Sequence, residues 1–218
     1  MPNIIIQKKV AIIDYELGNL FSVVQACEHL GFKAMITNDK KDLLAADYAI
    51  LPGVGAFGAA MKNLHKADLV SPIKDYIQSG KPFMGICLGL QLLLDESEEF
   101  GSNNGLGIIK GTVKKFHYTR ENGLVSKVPQ IQWNQIHSCK NNLWQASPLR
   151  HCANGDYMYF VHSFYAVPSD RDVILSETEY SGITYCSSIK KQNVFACQFH
   201  PEKSGNHGIE IYKNWLNG

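Results

Sequence analysis

The stretch Lys81-Pro82-Phe83-Met84-Gly85-Ile86-Cys87-Leu88-Gly89-Leu90-Gln91-Leu92-Leu93-Leu94 decides the fold. Pro82 to Ile86 is a short apolar run, which predicts a buried strand. Leu88, Leu92 and Leu93 then recur at helical spacing, so the period changes at Cys87. A strand that turns sharply into a helix at Gly-x-Cys-x-Gly is the cysteine form of the nucleophile elbow. The flanking glycines allow a tight turn and close packing around a strained residue. Cys87 then stands on the first turn of a helix, where free N–H groups and the helix dipole favour a thiolate. The bland alternative is a buried, inert cysteine, the common fate of a free thiol; a glycine on each side argues against it.

Upstream, Val10-Ala11-Ile12-Ile13-Asp14 is a continuous apolar run closed by an acid, as in a first parallel strand. Gly18-Asn19 opens an amphipathic helix with Leu20, Val23, Val24, Cys27 and Leu30 on one face and Gly31 as its stop. Phe32–Thr37 and Tyr48–Leu51 predict two more strands. Helices over about Ala59–Leu64 and Pro72–Gln78 lead to Gly80 and the elbow. Alternating strands and helices imply right-handed βαβ units, hence an α/β fold with a mostly parallel, doubly wound sheet. After the third strand, Pro52-Gly53-Val54-Gly55-Ala56-Phe57-Gly58 lacks the Gly-Lys-Ser/Thr ending of a phosphate loop and the spacing of a dinucleotide fingerprint. It reads as backbone that must come close to a ligand, at the same carboxyl edge of the sheet as Cys87.

Downstream, Glu96, Glu98 and Glu99 form an acidic cluster before Gly101. Glu96 and Glu98 suit a solvated helix end, and Glu99 stays open. From Gly107 the chain is strand-rich: Ile108–Phe116, Gln130–His137, Tyr157–Val167, Val173–Thr178 and Ile183–Ile189. Turn signals such as Glu121-Asn122-Gly123 and Ala153-Asn154-Gly155-Asp156 separate them. These predict an antiparallel extension of the sheet with no separating linker, so residues 1–218 read as one domain. A helix over about His207–Leu216 closes the chain, with Ile209, Tyr212, Trp215 and Leu216 as its buried stripe.

The 218 residues are 45% hydrophobic with a net charge of +1, enough for a real core and no basis for nucleic-acid or membrane attraction. The N-terminal cluster Ile4-Ile5-Ile6 is too short for a signal peptide, and no run reaches membrane-spanning length. The six cysteines form no CxxC pair and read as reduced thiols, so the expected location is cytoplasmic.

The second loaded stretch is Val194-Phe195-Ala196-Cys197-Gln198-Phe199-His200-Pro201-Glu202-Lys203-Ser204. On an alternating strand Gln198 and His200 share one face while Cys197 and Phe199 share the other, which argues against a Cys197/His200 metal pair. Glu202 can reach back to the His200 ring and orient it as base to a nucleophile. Cys87, His200 and Glu202 thus supply nucleophile, base and orienting acid. The N–H of Leu88 and one from the Gly53–Gly55 loop are candidate oxyanion donors. Without further information this is acyl transfer on an amide or ester, needing neither metal nor cofactor.

Gly85-Ile86-Cys87-Leu88-Gly89-Leu90-Gln91 with Phe199-His200-Pro201-Glu202 resembles a class I (triad) glutamine amidotransferase, from Val10 to the C-terminus. Asp14-Tyr15, Gly18-Asn19-Leu20, Leu51–Gly58, Phe160-Val161-His162-Ser163 and Lys203-Ser204 narrow the likeness to the family of glutaminase subunits of imidazole glycerol phosphate synthase. The resemblance implies glutamine hydrolysis by Cys87, His200 and Glu202, with ammonia passed to a (β/α)8-barrel cyclase subunit in a heterodimer. That partner makes imidazole glycerol phosphate and AICAR in histidine biosynthesis. The resemblance also implies Val54, Gly55 and Leu88 at the oxyanion, Gly53, Gln91, Glu99, Ser163 and Phe164 around glutamine, and Trp133, Asn134 and Lys203 at the partner interface. The chain departs from the family at Gln132, where glycine is usual, at Gln130, where histidine is usual, and at Glu16, where glycine is usual. The first two changes bear on partner identity. The alternative is a paralogous glutaminase subunit feeding a cyclase-like partner in surface-sugar amidination. A free-standing cysteine hydrolase gives no reason for Trp133, Asn134 or Lys203, and an interaction module gives none for an intact triad.

Overall fold

The computed structural model describes residues 8–117, 127–140 and 143–218, and the backbone of 120–121 and 124–125. Ile4-Ile5-Ile6 and the Asn122-Gly123 part of the expected turn lie outside the described residues. The first half of the chain alternates as its apolar periods predict. In order it runs β1 (Lys9–Ile13), α1 (Leu20–His29), β2 (Lys33–Thr37), α2 (Lys40–Ala45), β3 (Tyr48–Gly53), α3 (Phe57–Lys66), α4 (Val70–Gln78) and β4 (Phe83–Cys87). Then come α5 (Leu88–Leu92), β5 (Leu94–Ser97), β6 (Asn103–Asn104), β7 (Ile109–Lys115) and the short pair β8 (Arg120–Glu121) and β9 (Leu124–Val125). The rest is β10 (Gln130–Gln135), β11 (His137–Ser138), β12 (Tyr157–His162), β13 (Phe164–Pro168), β14 (Ile174–Tyr180), β15 (Ile183–Lys191), β16 (Val194–Cys197) and α6 (Gly205–Leu216).

One large sheet carries the strands in the order β2-β1-β3-β4-β16-β15-β13-β7-β5-β6, with β14 on β15 and β11 on β14. The pairs β2–β1, β1–β3, β3–β4 and β4–β16 are parallel, so β3, β4 and β16 end at the same edge. Beyond β16 the pairings turn antiparallel, except for the parallel β5–β7 pair. Side chains on β1 alternate between two cores: Ala11 and Ile13 pack with α3 and α4, while Val10 and Ile12 pack with α1 and α6. Burial on both faces is why these strands read as unbroken apolar runs.

Three details differ from the expectation. The elbow helix α5 is only five residues long, and Leu94, an apparent continuation of its stripe, begins β5. Glu96 is therefore a strand residue opposite Asn104 and Thr112, not a solvated helix end. Strands β10 and β12 also stand apart from the main sheet as their own two-stranded ribbon.

Candidate active site

The elbow is a backbone event. Cys87 has φ 55° and ψ −108°, a left-handed conformation that side chains rarely adopt. Its flanking glycines answer to space. A Cβ on Gly89 would lie 1.8 Å from the Leu51 carbonyl oxygen, and one on Gly85 would meet Gly89 and Ala196 at 3.0–3.1 Å. Helix and strand are thereby pressed together until the chain can only turn at Cys87. The first N–H groups of α5 have no partner within so short a helix and are free to serve an anion near Cys87.

Cys87 Sγ lies 3.8 Å from the Val161 carbonyl and accepts from Gln198 Nε2 at 3.6 Å. From the end of β16, His200 places Nδ1 2.8 Å from Glu202 Oε1, with both side chains almost fully enclosed, 3% and 2% exposed. Nε2, the other ring nitrogen, is buried and is the one left to interact with Cys87. Burial opposes charge on this ring, but its interactions with Cys87 and Glu202 together outweigh it and raise His200 to about 10. The ring is thus held as a cation beside the cysteine. Burial raises Cys139 to about 11, Cys27 and Cys152 to about 12, and Cys186 and Cys197 beyond the ordinary thiol range.

A cavity of about 250 Å³ opens on Cys87 and is lined by Val54, Gly55, Leu88, Gln91, Glu99, Pro129, Val161, His162, Ser163 and Phe164. Gly55 has φ 92°, which suits glycine alone. Gln91 Nε2 donates to the Phe164 carbonyl at 2.8 Å and to Gln198 Oε1 at 3.0 Å, so its side chain is fixed before any ligand enters. Glu99 accepts the Phe57 N–H at 2.6 Å and so caps α3 from a distance. Burial raises its carboxyl above the usual range, and that N–H pulls the other way.

Gly53 does not line this cavity. It pairs with Cys87 across β3–β4, and a Cβ there would stand 2.2 Å from the Tyr15 hydroxyl, so its task is close packing. Trp133 and Lys203 gather on Tyr159: the Trp133 ring is 6.1 Å from it, Lys203 Nζ is 5.9 Å, and the His200 ring is 6.5 Å. Asn134 turns away from this group, its side chain donating to the Glu179 carbonyl at 2.8 Å. Glu16 adopts φ 68°, its N–H donating to Asp14 Oδ1 and its carboxylate meeting exposed Lys66 at 3.0 Å. Gln198 and His162 escaped the sequence reading. The expected strand runs on to His200, but β16 ends at Cys197, so Gln198 and His200 both lie just past it.

An elbow cysteine in a parallel sheet, answered by a His–Glu pair just past the end of the neighbouring strand, is the architecture of glutamine-dependent amidotransferases, and the chain belongs to that family: the model for glutamine amidotransferase class-I matches residues 11–217. Its curated relatives are more particular. It is 46% identical to the imidazole glycerol phosphate synthase subunit HisH of Aquifex aeolicus, covering 95% of each chain. It is 45% identical to that of Syntrophotalea carbinolica, covering 94% of this chain and 98% of that protein. Solved structures agree on the fold. PurLQS from Thermotoga maritima superposes with a TM-score of 0.72 at 20% identity, covering 97% and 98% of the two chains. The glutaminase domain of a Trypanosoma brucei CTPS, solved with acivicin bound, gives 0.63 at 15% identity over 97% and 94%.

Proposed function

We propose that this chain is the glutamine-hydrolysing subunit of an imidazole glycerol phosphate synthase, working in histidine biosynthesis through Cys87, His200 and Glu202. The observation that carries the reading is the joint placement of Cys87, the buried His200–Glu202 pair and a cavity lined by Gln91, Glu99 and the Ser163–Phe164 wall at one sheet edge. The likeness to HisH subunits over nearly the whole chain supports it.

In the reading we favour, the Cys87 thiolate attacks the glutamine side-chain carbonyl. The oxyanion takes hydrogen bonds from the Leu88 N–H and from the Val54–Gly55 backbone, each such donor being worth about 2.7–4 kcal/mol of barrier. His200 gives its Nε2 proton to the departing nitrogen, which leaves as ammonia and a γ-glutamyl thioester remains. The now neutral His200 takes a proton from water, whose oxygen opens the thioester to glutamate and restores the thiolate. Glu202 holds the ring in place throughout and stabilises its charge whenever it is protonated. Gln91, Glu99, Ser163 and Phe164 surround the amino acid.

Ammonia is passed to a (β/α)8-barrel cyclase subunit in a cytoplasmic heterodimer. Support for the docking face comes from the ribbon, where Ile131, Trp133 and Tyr157 are 59%, 49% and 53% exposed. By the β10–β12 register they share one face, the face that also carries Tyr159 beside His200. Among the described residues no helix is long and apolar enough to cross a membrane. The test is glutamate release with the liganded cyclase present: Cys87→Ala should abolish it with the fold intact, and activity near the unmodified rate would sink the assignment.

A further inference from the structure

A polar chain leads from the cavity wall into the core, and its proton bookkeeping has one consistent solution. The Phe164 carbonyl lies 2.8 Å from His162 Nδ1, and a carbonyl cannot donate, so Nδ1 carries the proton. Burial, seconded by the charge on His200 and opposed by that carbonyl, lowers His162 to about 3. Its ring is therefore neutral and Nε2 is a bare acceptor. Tyr185 Oη is 3.3 Å from this Nε2 and 3.0 Å from the oxygen of the Gln130 amide, and it has one proton for two acceptors. Given to Gln130, that proton leaves His162 Nε2 against an oxygen lone pair. It also leaves Gln130 Nε2 buried without a partner. Given to His162, the phenol oxygen keeps two lone pairs. One receives Gln130 Nε2 once the amide is turned over, an orientation that hydrogen bonding alone assigns. The other receives the Thr178 hydroxyl, which also lies against Tyr185.

We propose that Gln130, Tyr185 and His162 form a one-way relay, Gln130 Nε2–H to Tyr185 Oη, Tyr185 O–H to His162 Nε2, His162 Nδ1–H to the Phe164 carbonyl, which positions the Ser163–Phe164 wall for glutamine. It rests on the glutaminase reading above. The same carbonyl accepts from Gln91, so the relay locks two sides of the cavity through one oxygen. Gln130 and Tyr185 are positioning residues; neither lines the cavity.

The test uses the complex with the cyclase subunit. Tyr185→Phe should raise the KM for glutamine about tenfold while kcat changes less than about threefold, the signature of lost positioning. Gln130→Leu removes the first donor of the relay but leaves the Tyr185–His162 bond, so it should raise KM by a smaller factor, about threefold. In the unmodified protein, ¹⁵N NMR should find His162 protonated on Nδ1 and bare on Nε2 at neutral pH, with signals that move in Tyr185→Phe. Should Tyr185→Phe fail to fold, the unmodified spectrum and Gln130→Leu still decide. A proton on Nε2, an unchanged KM in Gln130→Leu, or unchanged KM and spectrum in Tyr185→Phe overturns the relay. Loss of activity in Cys87→Ala alongside any of these would leave the glutaminase reading standing.

Discussion

Cys87 holds a backbone conformation that costs on the order of 1–3 kcal/mol and persists only because its surroundings insist on it. Leu51 and Gly89 supply the insistence, through a contact that leaves no room for a side chain. Glycine relieves the strain at φ 55°, alanine does not. Cys87→Gly should therefore be more stable than Cys87→Ala by about 1 kcal/mol in urea unfolding, with both inactive. Equal stabilities would mean that the elbow is unstrained. His200 makes the second claim at this scale. Its folded pKa of about 10 exceeds the ordinary 6.5, so the folded state holds the proton more tightly than the unfolded chain. The resulting stability is fully present below pH 6.5 and is lost as pH rises toward 10. Stability of the unmodified protein should fall across that window more steeply than that of His200→Asn. Parallel curves would refute the charged pair.

Among the elements, the β10–β12 ribbon is the one whose construction looks outward. Phe160 and Met158 bury one face while Trp133, Ile131 and Tyr157 leave the other apolar and open. An exposed tryptophan contributes little to folding, so Trp133→Ala should change stability by less than about 0.5 kcal/mol. Removing an interface anchor of this size should weaken binding to the cyclase subunit by about 2 kcal/mol or more. Titration of the partner against the folded variant measures it, and unchanged affinity would move the docking face elsewhere. The elbow element shows where a period misleads: Leu88, Leu92 and Leu93 mark a helix truly, but Leu94 continues the same apolar run into a strand. Nothing in a short leucine run distinguishes the last turn of a helix from the first residue of β5. The charged α2 (Lys40–Ala45) buries only Leu43, so it carries no stripe to read.

At the scale of the molecule, the parallel order β3-β4-β16 brings Gly53, Cys87 and the approach to His200 together, although they lie far apart in sequence. Strand–helix alternation and the two loaded stretches made that convergence legible, because both stretches announce a strand ending at chemistry. The separation of the ribbon and the Gln130–Tyr185–His162 contacts were not legible: they depend on which antiparallel strands meet, and alternation constrains faces without choosing partners. Gly53 was assigned to glutamine by resemblance, and the closeness of Tyr15 and Leu88 gives a packing reason for its having no side chain, which the sequence alone did not show. The claim that everything else serves is a covalent one, that glutamine is opened through the Cys87 sulfur. The direct measurement is acid quenching of the cyclase complex during glutamine turnover, followed by peptide mass analysis. A γ-glutamyl group on the peptide carrying Cys87, absent in Cys87→Ala, is the expected result. Sustained glutamate release with no adduct on Cys87, or an adduct on Cys139 or Cys152, would contradict it.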